Sequence, residues 1–465
     1  MARSAFRFVD LFAGIGGFHA AMSAFGGKCV YAVENDVKAA SVYRANWGID
    51  PLGDITEDAN DDVLKVPPHD VLCAGFPCQP FSKSGSQLGF LDKIRGTLFE
   101  DIMDIVRLHY PSVVILENVR NFETHDGGKT FGIVKGALIT AGYQVKECIL
   151  SPHHFGIPQN RERIFIVALH KNKVPDYFDF KFPDPEAVDY DVEMLKDGSL
   201  NKCDENKYRI TAEQKSVFAH WSKLVKAVLS NGKKLPSPTW SMEFERTYSL
   251  DGKFPLADRT NKQLCEELKK DGIKAKETWE REDLIAKYPP YIRSIKEKIP
   301  PWKKRFILNN REFWKENKKL VPKNWLEKTA EFHETYQKLE WHVGAHAKSI
   351  EHYDLMKWMI HLRPSGIRVS KLDHIPALVA ISQIPIIGPW GRRLTPREAA
   401  TAQSFDIDYK LSENDSIAYK QLGNSVNVEV VRAVLIEILK LNITPGNNSL
   451  QSQEVIKTTH EDFVR

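Results

Sequence analysis

Asp10-Leu11-Phe12-Ala13-Gly14-Ile15-Gly16-Gly17-Phe18 closes the apolar run Phe6–Phe12 and opens the helically spaced segment Gly17–Phe25. A strand that passes through a glycine-rich turn into a helix is the entry unit of a doubly wound α/β sheet, and the glycines let backbone come close to a ligand. Position 19 is histidine, so the stretch lacks the third glycine of the G-x-G-x-x-G fingerprint. That departure weakens a dinucleotide reading and suits a nucleoside ligand without a pyrophosphate.

Working outward, four further apolar runs read as strands buried on both faces: Cys29–Val33, Asp70–Ala74, Val113–Glu117 and Arg163–Leu169. Helical spacing recurs between them, as in Phe99–Leu108. Alternation of this kind predicts a mainly parallel sheet, with ligands beyond the carboxyl ends of its strands. Glu34 ends the second strand, where an acid can accept hydrogen bonds from both hydroxyls of a ribose. Asp54, in Gly53-Asp-Ile-Thr56, can do the same for an adenine amino group.

Three segments carry the chemistry. Gly75-Phe-Pro-Cys-Gln-Pro-Phe-Ser82 follows a strand directly, so Cys78 lies where this fold reacts. Prolines fix the flanks of Cys78, and the loop from Ser82 to Gly96 is rich in Ser and Gly, the composition of a mobile lid. Cys29 and Cys148, by contrast, read as small buried hydrophobes. Glu117-Asn-Val119 places an acid at a strand end beside an apolar sheet, which would raise its pKa and let it donate a hydrogen bond at neutral pH. Gln159-Asn-Arg-Glu-Arg-Ile164 puts Arg161 and Arg163 on one face of a strand, able together to hold a base or a phosphate. Each has a plainer reading, as a loop carboxylate or a surface ion pair. Gly423-Asn-Ser-Val426 opens a helix near the C-terminus and says little by itself.

The pattern breaks at about residue 171. A long stretch rich in Lys, Trp and Tyr follows, and residues 291–330 hold twelve Lys/Arg against four Asp/Glu, while the whole chain is only +4. Tyr291, Trp302, Phe306, Phe313, Trp314 and Trp325 are interleaved there. Taken singly, Lys303–Arg305 and Lys318–Lys319 read as solvated faces and the tryptophans as core. From about Arg393 the sequence is compact again, and Ser416–Lys440 reads as a loop followed by an amphipathic helix. The six cysteines form no C-x2-C pair, the first residues hold no apolar signal core, and no run is long enough to span a membrane. Those features predict a reduced, intracellular, soluble protein.

In this order the segments resemble the DNA cytosine-5 methyltransferase family. The matching stretches are Asp10–Phe18, Gly75–Ser82, Gly96–Phe99, Glu117–Val119, Gln159–Arg163, Arg393–Gln403 and Gln421–Val426. Thr401 and Ala402 depart from the Arg and Leu often found there, which touches how the domains join rather than the chemistry. The resemblance implies a Rossmann-like S-adenosylmethionine-dependent fold: a catalytic domain over 1–180, a target-recognition domain over 181–392, a return segment over 393–441 and a polar tail over 442–465. It makes Cys78 the nucleophile, Glu117 the contact to the cytosine ring edge, and Arg161 and Arg163 the arginines of the base pocket. Phe12, Gly14, Ile15, Gly16, Glu34, Asn35, Asp54, Ile55, Pro77, Leu98, Asn424 and Ser425 would surround S-adenosyl-L-methionine, and Gln79, Ser82 and Gln159 would touch the substrate. S-adenosyl-L-homocysteine would be the product, double-stranded DNA the partner, and no metal is required. The size resembles the bacterial, restriction-modification type: a cytoplasmic, nucleoid-associated monomer whose cognate endonuclease acts separately. An RNA methyltransferase on the same scaffold and a non-catalytic DNA binder are the rival readings. The basic insertion argues against the first, and intact Cys78, Glu117 and Arg163 against the second.

Overall fold

The computed structural model describes residues 6–60, 63–77, 97–185, 189–200, 202–251, 256–295, 297–378 and 383–441. Cys78, Gln79, Ser82, the candidate lid Phe81–Arg95 and the tail 442–465 lie outside these residues. The chain divides into two compact units, one of residues 1–199, 373–382 and 395–465 and one of 200–372 and 383–394.

The first unit is built on a six-stranded sheet: β1 (Phe6–Leu11), β2 (Gly27–Val33), β3 (Val71–Ala74), β4 (Val113–Val119), β5 (Tyr143–Leu150) and β6 (Arg163–His170), in the order β2-β1-β3-β4-β6-β5. The pairs β1/β2, β1/β3 and β3/β4 are parallel, whereas β6 runs antiparallel to both β4 and β5. The chain crosses β1 in both directions, so the switch point lies between β1 and β3 and the crevice opens beyond their carboxyl ends. Every residue of β3 is buried, as are the first six of β4, in keeping with unbroken apolar runs covered on both faces. β5 has no counterpart among the sequence-predicted strands. Lys146 and Glu147 interrupt its apolar pattern because it is the edge strand, where side chains stay half-exposed.

Helices cover the sheet: α1 (Gly17–Ser23), α2 (Val37–Trp47), α3 (Leu98–His109) and α4 (Lys129–Thr140). In α3 the buried Phe99, Ile102, Met103, Ile105 and Val106 recur at helical spacing and join Val9, Leu72, Val114 and Ile166 in one core. Asp36 caps α2, its Oδ1 accepting from the backbone of Lys38 and Ala39.

The second unit pairs α5 (Ala212–Leu229) and α6 (Pro301–Asn317) with a sheet whose centre is β7 (Lys338–Trp341), β8 (Met359–Arg363) and β9 (Gly366–Ser370). Thr211 and Gln214 form a capping box at the start of α5, whose buried Val217, Phe218, Trp221, Leu224 and Val228 build the core. Trp314 and Trp325 belong to that core, whereas Trp302 is 51% exposed. A separate smaller core gathers Leu264, Leu268, Leu284, Tyr288 and Ile307.

The chain then returns to the first unit as α7 (Pro396–Ala402), α8 (Asp415–Asn424) and α9 (Val428–Leu439). Where the sequence predicts that Ser416–Lys440 begins as a loop, Asp415–Asn424 is a helix. Its pattern was obscured because Tyr419, Gln421 and Gly423 occupy buried positions.

The unit boundaries also differ from the expected 180/181 and 392/393. Residues 181–199 stay with the first unit: Val192–Leu195 packs on α7, and the Asp197 N–H donates to Glu398 Oε1 at 3.1 Å. Residues 373–382 rejoin it because Ile375–Pro376 pairs with Gln159–Asn160 and the Ile375 N–H donates to Pro158 O at 2.8 Å. Among the described residues no helix is long and apolar enough to cross a membrane.

Candidate active site

Four parallel strands of the first unit end at the same edge of the sheet, each followed at once by a polar or glycine-containing segment. After β1 the chain turns at Phe12 and Gly14, both with positive φ, and enters α1 through Gly16 at φ 94°. Gly17 is required by close approach: a Cβ there would lie 2.8 Å from both Ser425 Oγ and Val426 O, so a side chain would push α1 off the return segment. After β2 comes Glu34, after β3 the tripeptide Gly75–Pro77, and β4 carries Glu117 within its last turn of pleat. Because β6 is antiparallel, it is the start of that strand, Arg163, that pairs with Val119 at this edge. These elements enclose one cavity of about 520 Å³.

At one end of the cavity Glu34 organises the turn. Its Oε2 accepts from the Gly14 N–H at 2.8 Å and its Oε1 from the Asp36 N–H at 2.7 Å, so the carboxylate is aimed rather than free to rotate. The Glu34 backbone pairs with Pro51 and Gly53, which brings Gly53, Asp54 and Ile55 onto the same wall. Asp54 caps its own short helix, its Oδ1 accepting from the Thr56 N–H at 3.0 Å. Phe12, Ile15, Ile55 and Leu98 add apolar surface.

At the other end stands Glu117, 8% exposed. Arg163 Nε lies 2.9 Å from its Oε1, and Gly75 leaves room beside its other oxygen. Burial pushes the Glu117 carboxyl above its ordinary value, opposed by the charges of Arg163 and Arg161. Arg161 is buried, and burial lowers its pKa to about 9, which still leaves it charged at neutral pH. Its guanidinium is held by two carbonyls, Ser425 O at 2.7 Å and Leu378 O at 3.3 Å. The Asn118 side-chain amide donates to Phe76 O at 2.9 Å, clamping the segment that leads to Cys78 against the end of β4.

The structure brings together on the cavity wall Phe12, Gly14, Ile15, Glu34, Asn35, Asp54, Ile55, Pro77, Leu98, Glu117, Arg161, Arg163 and Asn424. Gly16, Gln159 and Ser425 stand behind it. Gly16 backs onto Trp47, where a Cβ would meet the indole nitrogen at 2.5 Å. Gln159 is fully buried in its short strand. Ser425 acts on the cavity through its carbonyl, which orients Arg161. Sequence reasoning did not single out Asp36, Lys38, Ile417, Lys420 or Gln421, which also line the wall. The last three, with Asn424, recur at helical spacing, a signal that reading 415–424 as a helix would have exposed. Lys420 Nζ bridges to Asp36 Oδ2 at 3.4 Å across the rim.

The sequence model of the family described as C-5 cytosine-specific DNA methylase matches residues 6–440. The type II methyltransferase M.AluI of Cellulosimicrobium cellulans is 35% identical over 97% of this chain and 96% of its own length. M.BanI of Aneurinibacillus aneurinilyticus is 31% identical over 94% of this chain and 96% of its own. M.HhaI of Haemophilus parahaemolyticus is 47% identical, over 41% of this chain and 56% of its own length. Full-length matches of this kind, on a chain whose strand ends gather the glycine turn, the acid and the arginines in one cavity, make the protein a member of the C-5 cytosine-specific DNA methylase family.

Proposed function

We propose that this chain transfers the methyl group of S-adenosyl-L-methionine to C5 of a specific cytosine in double-stranded DNA, through a covalent bond between Cys78 and C6 of a base flipped out of the duplex. One observation carries the reading: a single cavity joins the Glu34 turn to the Glu117–Arg163 pair, and Pro77, the residue before Cys78, is on its wall.

The residues present fit the cofactor. Glu34 keeps acceptor capacity beyond its two backbone bonds, as a ribose diol needs, and Asp54 lies on the same wall as the apolar Phe12, Ile55 and Leu98 that would flank an adenine. When bound, S-adenosyl-L-methionine supplies an electrophilic methyl group on a sulfonium.

C5 of cytosine is a weak nucleophile, so the ring must first be activated. The Cys78 thiolate adds to C6, which pushes electron density toward C5 and N3. A protonated Glu117 would donate a hydrogen bond at N3, and burial raises its pKa in that direction. An arginine of the pair Arg161 and Arg163 would hold the exocyclic O2, and the charges of both oppose protonation of the acid beside them. Once C5 is methylated it loses its proton, the C6–sulfur bond breaks, and Cys78 leaves as thiolate with S-adenosyl-L-homocysteine as the other product. Atoms inside a stacked duplex are out of reach of such attack, so the base must be extruded at a cost of a few kcal/mol. The second unit would then be the target-recognition domain, and the type II names of the relatives suggest a restriction-modification role.

DNA carrying 5-fluorocytosine at the methylated position tests this directly, since fluorine cannot depart as a proton does. A stable protein–DNA adduct that maps to Cys78 is expected. DNA that binds and yet never becomes trapped would overturn attack at C6.

A further inference from the structure

The second unit carries a polar sheet face that the cavity chemistry leaves unused. β8 and β9 form a hairpin closed by Pro364-Ser365, and β7 runs parallel to β9. The registers set Lys338, Gly366 and Arg363 in one row across the three strands, and Glu340, Arg368 and His361 in the next. Side chains alternate along a strand, so these share one face, while Leu339, Ile360, Ile367 and Val369 point into the core.

Gly366 makes the centre of this face a gap. Its φ is 131°, and a Cβ there would lie 2.7 Å from the Cβ of Lys338, so no side chain can stand between the outer strands. Across the gap Arg363 Nη2 reaches Glu340 Oε1 at 2.6 Å. Arg368 Nε and His342 Nε2 approach Oε2 of the same carboxylate at 3.8 Å and 3.2 Å. Two permanent cations, Arg363 and Arg368, and the His342 imidazole thus surround one acid. Arg368 is 42% exposed and projects to solvent from a strand rather than from a loose loop, whereas Arg363 is 22% exposed, with its Nε and Nη2 buried beside Glu340.

We propose that the hairpin β8–β9 is the surface on which the second unit receives duplex DNA, with Arg363 and Arg368 making the contacts and Glu340 occupying them until DNA arrives. The inference rests on reading this unit as the target-recognition domain. The guanidinium fork matches the paired acceptors of a guanine edge or a phosphate as well as it matches a carboxylate. Glu340 then serves discrimination: a duplex that offers no matching acceptors must compete with an ion pair already made.

Binding of a short duplex containing the methylated site, and of one without it, would be measured by fluorescence anisotropy over a series of salt concentrations for the full-length protein and for R363Q, R368Q and E340Q. S-adenosyl-L-homocysteine affinity and circular dichroism report whether the first unit and the fold are intact. R363Q and R368Q should each weaken duplex binding by about tenfold while S-adenosyl-L-homocysteine binds as before. E340Q should tighten binding to the duplex without the site. Parent-like binding by both arginine variants at every salt concentration would overturn the proposal. Should R363Q fail to fold, R363K keeps the charge without the fork: weaker binding supports the proposal, and parent affinity overturns it. The parent's own methylation of duplex DNA is scored alongside, so failure of the surface and failure of the enzymatic reading remain separate results.

Discussion

Glu117 in the first unit and Glu243 in the second are both carboxyls that burial drives above their ordinary range, and both sit beside an arginine. Their surroundings differ in one respect. Glu243 is fully enclosed: Tyr248 and Tyr291 donate their hydroxyls to it, Arg311 Nε donates at 3.0 Å, and Arg311 also packs over the Tyr248 ring. Glu117 has the ion pair to Arg163 but faces a cavity, where a ligand can take up the remaining capacity. A buried acid whose partners are complete holds a fold together; one left with an open side is available for chemistry.

Breaking this contrast begins at Cys78, the residue that follows Pro77 in the sequence. Cys78→Ala should abolish methyl transfer while S-adenosyl-L-homocysteine still binds, as measured by incorporation of labelled methyl and by calorimetry. Any sustained turnover by that variant would sink the covalent route.

Next in size, Glu117→Gln should lower kcat by about two to three orders of magnitude with little change in melting temperature. Glu243→Ala should do the reverse: it strands the half-buried Arg311 and costs about 3 kcal/mol of stability, yet the folded fraction should bind S-adenosyl-L-homocysteine normally. Paired denaturant melts and rate measurements separate the two, and equal losses of stability would erase the distinction.

A pH series sharpens it further. The fold raises the pKa of Glu117, so the native state binds that proton more tightly than the unfolded chain does. The resulting stability is present at low pH and is lost as pH rises through the raised value. Parent minus Glu117→Gln stability should therefore shrink with rising pH. A difference that widened instead would mean that the arginines, not burial, dominate this carboxyl.

The smallest effect belongs to the rim. Lys420 and Asp36 form an exposed pair, so Lys420→Ala should weaken S-adenosyl-L-homocysteine by no more than about fivefold.

How far the sequence carries depends on whether a feature is local. Asp10–Phe18, the buried runs of β1 to β4 and the acid at the end of β4 were legible because strand, glycine turn and helix leave their mark within a few residues. Gly75–Pro77 after β3, Arg161 just before β6 and Arg163 at its start were found the same way. What the local pattern hid was set by distant partners. Edge strand β5 carries Lys146 and Glu147 because one side has no neighbour. Residues 373–378 turn back to the first unit because Gln159–Asn160 and Arg161 receive them.

By itself, then, the sequence determined the kind of sheet, the family resemblance and half of the residues of one cavity, since these follow from short-range periodicity and composition. Only the tertiary structure decided that Ser425 acts through its backbone on Arg161, that Lys420 and Gln421 belong to the wall, and that Trp302 is exposed while Trp314 and Trp325 are core. The physical reason is that burial and charge pairing are properties of segments brought together across hundreds of residues, and no window along the chain contains both partners.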